Sequence, residues 1–247
     1  MEKMMKILVS IDDTDNLESC GTGELAAQIS QTIEEEGWGH CSYITRHQLL
    51  VHPDVPYTSH NSAMCFEATI EPENLGAIID WSSQFLANNS AEGSDPGLCV
   101  AVVDALADIE SLIAYGQSAK LEVLNKALAY QRAVENGLHL SEHGGTGQGV
   151  IGALAGIGLR LGGMDGRLKG KVAFSDDRVT FTAEELKDHP WIDAVETEEG
   201  DVVADATEVM LVDKVKVVRL RHHAVLLVEQ NEQGQWQVLS RQKLKKY

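Results

Sequence analysis

Three carboxylates in four positions, Asp12, Asp13 and Asp15, follow the apolar run Lys6–Ile11. Side chains this close repel one another unless a cation sits among them. Oxygen-only donors suit a hard divalent ion such as Mg²⁺, which commonly holds substrate phosphates too. The pattern points to metal-assisted phosphate chemistry, with Asp12, Asp13 and Asp15 as metal ligands and Asp12 and Asp13 in catalysis. The plain alternative is a polar turn whose aspartates cap backbone N–H groups. A second group, Gly21-Thr22-Gly23, stands at the start of a predicted helix. Glycines let a ligand approach the backbone, a helix N-terminus draws anions, and Thr22 offers a hydroxyl. Thr22 as an ordinary N-cap is the alternative.

The third group is Gly144-Gly145-Thr146-Gly147-Gln148-Gly149, leading into Val150-Ile151-Gly152-Ala153-Leu154-Ala155. Successive amides over Gly145–Gly149 can form an anion-binding nest, which makes Gly145, Thr146, Gly147 and Gly149 candidate phosphate contacts. No Gly-Lys-Ser/Thr follows, so this is not a Walker A loop. The dinucleotide fingerprint lacks its last glycine, and no strand is predicted before it. The alternative is a loop before a close-packed helix, with Gly152, Gly156 and Gly158 as packing residues. The fourth group joins Thr45-Arg46-His47 to Pro56–Ser62. It supplies Arg46, His60 and Asn61 as donors toward a substrate. No HExxH or CxxC spacing occurs, so a zinc site is not expected.

The elements that must position these groups follow from periodicity. Lys6–Ile11 reads as a buried strand. Leu25, Ala26, Ile29 and Ile33 mark one face of a helix from Thr22 to about Glu36, stopped by Gly37. Ser42–Val51 and Ala63–Ile70 read as strands, and a helix opens at Pro72. Leu98–Val103 is strand-like, and helices are expected at about Ala105–Tyr115 and Lys120–Glu135. After Gly163 come short β-branched runs: Lys171–Phe174, Val179–Phe181, Glu208–Val212, Val215–Arg219, Ala224–Val228 and Trp236–Leu239. The expected fold is α/β (α+β), a mixed sheet with flanking helices plus a smaller β-rich C-terminal region. The expected division is 1–163 and 164–247.

The 247 residues carry 20 Lys+Arg against 38 Asp+Glu, a formal charge of −18, and 43% are apolar. That apolar share excludes wholesale disorder. No apolar run reaches the ~18–20 residues of a membrane helix, and the N-terminus reads as a strand rather than a signal peptide. Cys20, Cys41, Cys65 and Cys99 are scattered, which fits a reducing cytoplasm, with Cys65 and Cys99 as buried hydrophobes. The acidic body repels phosphate backbones, so a nucleic-acid partner is not expected. Only Lys214–Tyr247 is basic, read first as a solvated face or internal counter-charge and second as a contact for RNA or an acidic partner.

These groups, in this order, resemble the N-terminal kinase-like domain of archaeal tRNA-isoleucine agmatinylcytidine synthetase. The resemblance rests on IDDTD with the following Leu25-Ala26, on Thr22 and Arg46, and on Pro56-Tyr57 with Asn61. It also rests on the Asp95-Pro96-Gly97 turn and on Gly147–Ala155. It covers roughly residues 6–160. It implies ATP and Mg²⁺ as cofactors, and phosphoryl transfer that activates an oxygen for later amine attack. It carries Asp12, Asp13 and Asp15 over to the metal and phosphate site, and Thr22 as a phosphate-contacting or phosphoryl-accepting residue. Nothing in Met164–Tyr247 matches the family's later segments, and no CxxC follows Cys99.

The leading expectation is a stand-alone ATP-dependent kinase-like or ligase-like enzyme acting on a small molecule, with homo-oligomerisation left open. Two other readings stand beside it. One is a haloacid-dehalogenase-type phosphatase, with Asp13 as nucleophile, Asp15 as general acid and Asp176-Asp177 as a late acidic pair. The other is a non-catalytic nucleotide-sensing or partner-binding protein.

Overall fold

The first apolar run forms β1 (Met5–Asp12). Ile7, Val9 and Ile11 pack into one core, while Leu8 packs into another. Both faces of the strand are covered, which is why the run reads as almost continuously apolar rather than alternating. A computed structural model describes residues 4–55, 61–170, 172–174, 178–212 and 215–247. The chain divides into two compact units, Met1–Gly162 and Gly163–Tyr247.

In the first unit, α1 (Thr22–Glu35), β2 (Gly39–Cys41), β3 (Thr45–Gln48) and β4 (Ser62–Ile70) follow β1. A 3-10 turn at Pro72–Asn74 leads into α2 (Leu75–Asn89) and then β5 (Gly97–Val102). The unit continues through α3 (Ile109–Ser118), α4 (Lys126–Asn136), β6 (His139–Glu142) and α5 (Gly149–Gly162). The strands lie in the order β6-β5-β1-β4-β3, with β2 also on β4, and every pairing is antiparallel. Leu25, Ala26, Ile29 and Ile33 of α1 and Ile78 and Leu86 of α2 cover one face of the sheet. Leu112 of α3, Ala129 of α4 and the apolar side of α5 cover the other.

Capping residues explain several shifted boundaries. Gly21, not Thr22, caps α1, and Thr22 is its first helical residue. The Asp108 side chain accepts from the Ser111 N–H and the Asn125 side chain from the Leu128 N–H, so α3 and α4 begin later than expected. Gly137, at φ 67°, closes α4 in the left-handed conformation. The expected strand Ser42–Val51 is regular only over Thr45–Gln48. β6, which the sequence does not announce, pairs with β5 and immediately precedes the glycine loop.

The second unit comprises β7 (Arg167–Leu168), β8 (Thr180–Thr182), α6 (Ala183–Lys187), β9 (Ala194–Glu196), β10 (Glu208–Met210), β11 (Val218–Leu220), β12 (His223–Gln230) and β13 (Trp236–Val238). Their order is β7-β11-β12-β13-β10-β8, with β9 on β12. The β10–β13 and β9–β12 pairs are parallel, so the fold is α/β with mixed strand directions, but the mixing expected beside the flanking helices of the first unit lies in this unit instead. A capping box between Thr182 and Glu185 opens α6. Val172–Phe174 form no strand, and Asp176-Asp177 lie outside the described residues. Three cations of the basic C-terminal segment pair within the unit: Lys243 with Glu229, Lys246 with Glu198 and Arg221 with Glu196. Among the described residues no helix is long and apolar enough to cross a membrane.

Candidate functional site

β1 alternates its side chains between two cores, so Leu8, Ser10 and Asp12 share the face that meets α5. Asp12 is only 7% exposed. It fits because α5 presents Gly152 there: a Cβ on Gly152 would lie 1.7 Å from Asp12 Oδ2. Burial, then the charges of Asp13 and Asp15, push the Asp12 carboxyl up to about 8, although the Asp13 backbone N–H donates to it. Asp13 leaves the strand at φ 51°, left-handed backbone that aspartate tolerates better than most residues. Burial, then Asp95 and Asp15, push its carboxyl up to about 6 against a hydrogen bond donated by the Asp95 N–H.

Asp15 turns away toward α1. The Thr22 hydroxyl donates to its Oδ1 at 3.5 Å, and Gly21 sits beside its other oxygen. Asp12, Asp13, Asp15, Gly21, Thr22 and Gly23 all line one cavity of about 610 Å³. Thr146 and Gly149 line it from the glycine loop, and Arg46 and Asn61 from the β3–β4 region. Gly145 and Gly147 do not line it. His60 lies outside the described residues.

Two of these residues are engaged by protein groups. Arg46 Nε donates to Ser62 Oγ at 2.9 Å. Asn61 Nδ2 donates to the Leu50 carbonyl at 2.7 Å, and its own backbone carbonyl accepts from Gln48 Nε2. Asn61 is therefore tied to Gln48 and Leu50 as well as lining the cavity.

The glycine loop departs from expectation. Its nest of amides does form, but the Asp95 carboxylate fills it. Thr146 N–H donates to Asp95 Oδ1 at 2.5 Å and Gln148 N–H to Oδ2 at 3.3 Å. The Gly147 N–H and the Thr146 hydroxyl donate to the same carboxylate. Burial works against the Asp95 charge, but these hydrogen bonds outweigh it and hold the carboxyl below its ordinary range. Phosphate contact is thus corrected for the Thr146, Gly147 and Gln148 amides, which the Asp95 carboxylate already satisfies, while the Gly149 N–H is taken by the Asp95 backbone carbonyl. The loop is also clamped from behind, since Lys126 Nζ donates to the Thr146 carbonyl and pairs with Glu142, each at 2.7 Å.

The expected three-aspartate metal centre needs correction too. Among the described residues no group of three or more His, Cys, Asp or Glu side chains is arranged to hold a metal ion. Asp12 faces Gly152, Asp13 faces the Asp95 N–H and Asp15 faces Thr22, so the three do not converge. What remains fits Mg²⁺ differently, because Mg²⁺ usually takes one or two carboxylates and fills its shell with phosphate oxygens and water. Asp12 and Asp13 are hard oxygen donors whose charges are held in an unfavourable place, which a cation would relieve.

Residues without a motif complete the cavity. Leu49, Leu50, Val55, Val123 and Leu124 give it an apolar wall, and Asp54 and Glu122 add carboxylates. Their one common signal is position in loops after β3 and α3. Asp95 could be noticed only as the Asp-Pro-Gly turn before β5.

No family model matches the sequence. An uncharacterized protein of Methanocaldococcus jannaschii, MJ0921, is 28% identical over 158 residues, which are 64% of this chain and 51% of that protein. Among solved structures, a tRNA fluorescent labeling enzyme is 25% identical with a TM-score of 0.55, over 62% of this chain and 36% of that one. Apo TiaS, an isoleucine-tRNA agmatidine synthetase, is 24% identical with a TM-score of 0.53, over 62% of this chain and 35% of that one. TiaS in complex with its isoleucine tRNA and ATP is 21% identical with a TM-score of 0.55, over 81% of this chain and 49% of that one. The chain thus spans about half or less of the length of the proteins it matches.

These neighbours overturn the expectation against a nucleic-acid partner, because TiaS of the same fold is seen in complex with tRNA. Averaging charge over the whole chain conceals the physical reason. The first unit holds 22 acidic and 7 basic residues, whereas the second holds 16 and 13. The second unit, at −3 against −15, opposes phosphate far less than the first. In fold, this chain resembles the N-terminal part of TiaS, as its sequence motifs imply.

Proposed function

We propose that the first unit binds ATP as its Mg²⁺ complex, and that the protein uses it as a synthetase or ligase does, to activate an acceptor group in an RNA. The observation that carries this reading is convergence. Residues of four motif groups, spread over positions 12 to 149, line one cavity on a fold shared with an ATP-bound, tRNA-bound enzyme. Its volume lies within the roughly 300–1,000 Å³ typical of small-ligand sites.

In this reading Asp12 and Asp13 hold Mg²⁺, which when bound supplies neutralisation of phosphate charge. The amides in the first turn of α1 and the Thr22 hydroxyl orient phosphate oxygens, as a helix N-terminus favours. Thr22 Oγ can also accept the γ-phosphoryl group of ATP: the Oγ–P bond forms as the β–γ bond breaks, ADP leaves, and the hydroxyl proton passes to the Asp15 carboxylate to which it already donates. The apolar wall takes the flat base. Arg46 and Asn61 line the acceptor side. Phosphoryl transfer needs mainly positioning and charge stabilisation, which such an arrangement supplies.

The test is nucleotide turnover. Protein is incubated with Mg²⁺, total tRNA and ATP labelled at the α- or γ-phosphate. RNA-dependent release of ADP, or of AMP and pyrophosphate, is expected, with at least ~100-fold loss in Asp12→Asn and Thr22→Ala, the scale of losing one transition-state stabilising group. ATP that binds but is never consumed, with or without RNA, contradicts the enzyme and leaves a nucleotide sensor. Phosphatase activity lost in Asp13→Asn would favour the haloacid-dehalogenase reading.

A further inference from the structure

The occupied nest assigns a role to Asp95, which belongs to none of the four motif groups. Asp95 uses every polar group it has. Its N–H donates to the Asp13 carboxylate, and its carbonyl accepts the Gly149 N–H, the start of α5, at 3.0 Å. Its carboxylate gathers the amides of Thr146, Gly147 and Gln148 together with the Thr146 hydroxyl. The loop is moulded around it. Gly145 and Gly147 take φ of 55° and 76°, and a Cβ at Gly145 would lie 1.8 Å from Asp95 Oδ1. One residue thus joins the acidic turn after β1, the glycine loop and the α5 N-terminus, three segments that line the same cavity.

We propose that Asp95 is a positioning residue. It acts as a long-range cap that fixes the glycine loop and the start of α5 against Asp13, so that the loop shapes the phosphate end of the cavity without binding phosphate through its amides. The ligand class this concerns, a nucleoside polyphosphate with its metal, rests on the function proposed above. The pinning itself does not. An asparagine cannot replace Asp95, because it offers one acceptor oxygen and turns an NH₂ toward the remaining donors. A glutamate reaches one methylene too far into a loop already in contact.

The test has two arms on the full chain. The first follows amide hydrogen exchange at Thr146, Gly147 and Gln148 without ligand, in the wild type, Asp95→Asn and Asp95→Ala. Exchange about 10-fold or more faster in both variants, with β1 and β4 amides unchanged, is expected. Unchanged exchange at the loop overturns the proposal, and so does acceleration throughout the unit. The second arm compares ATP with adenosine in the presence of Mg²⁺. Weakening of ATP by about 10-fold, a loss of about 1.4 kcal/mol, with adenosine unaffected is expected. A merely structural role would move both ligands alike, and ATP bound as tightly as or more tightly than in the wild type would make Asp95 an occupant that blocks the nest. Either result overturns positioning. A wild type that binds neither ligand defeats the nucleotide reading, and the exchange arm still decides the pinning.

Discussion

Asp12 is a carboxyl group placed where its charge is disfavoured, and that has a measurable sign. Its folded-state value, about 8, exceeds the unfolded 3.8, so below pH 4 it is protonated in both states and costs nothing. As pH rises from about 4 toward 8, the unfolded chain loses the proton first, and stability falls. In EDTA, thermal unfolding of the wild type is expected to drop over this window. Asp12→Asn is expected to flatten the profile and to be more stable at pH 7, by on the order of 4 kcal/mol. A wild-type profile that rises over the same range would contradict the buried placement. The candidate residues themselves are legible in the sequence, because Asp12, Asp13, Asp15 and Thr22 stand out by type and spacing. Where each carboxylate points is not legible, since it depends on the left-handed backbone at Asp13 and on the distant Gly152 in α5. Asp95 is least legible: its partner Thr146 is 51 residues away and no local pattern links them.

At the scale of elements, α5 decides how close everything comes. Its glycines are spacers that let the helix lie on β1 and α3. A Cβ at Gly156 would lie 2.3 Å from Ser10 Oγ, and one at Gly158 would lie 2.0 Å from the Leu112 carbonyl. Gly156→Ala is expected to cost about 1–3 kcal/mol by overpacking, measured by denaturant unfolding. Ser10→Ala removes the clashing oxygen, so the double variant is expected to recover part of that loss. Simple additivity would show that the helix does not rest on Ser10. The helix and its glycines are readable from Gly149-Val150-Ile151-Gly152-Ala153-Leu154-Ala155, and α1 from its apolar spacing. The start of α4 at Lys126 is hidden by Lys120–Asn125, whose composition suits a helix until the Asn125 side chain caps the next turn. β6 is hidden because His139-Leu140-Ser141-Glu142 is short, polar and pairs on one side only.

For the whole molecule, charge is the misleading quantity. The total of −18 is ordinary arithmetic over two unequal units, and the second unit is close to balanced. If RNA binds as proposed, its affinity is expected to fall steeply between about 50 and 200 mM salt, on the scale of counterion release. Neutralising exposed Lys245 and Arg241 of the second unit is expected to reduce that slope, read by filter binding across salt. A salt-independent affinity would argue against phosphate contacts. Nucleotide binding itself rests on the cavity of the first unit. The most direct measurement is a calorimetric titration of wild type and Asp12→Asn with ATP, with and without Mg²⁺. The expected result is ATP binding that requires Mg²⁺ in the wild type and is lost in the variant, while the variant stays folded. Absence of ATP binding to folded wild type under both conditions, or binding indifferent to Mg²⁺ and to residue 12, would contradict the account.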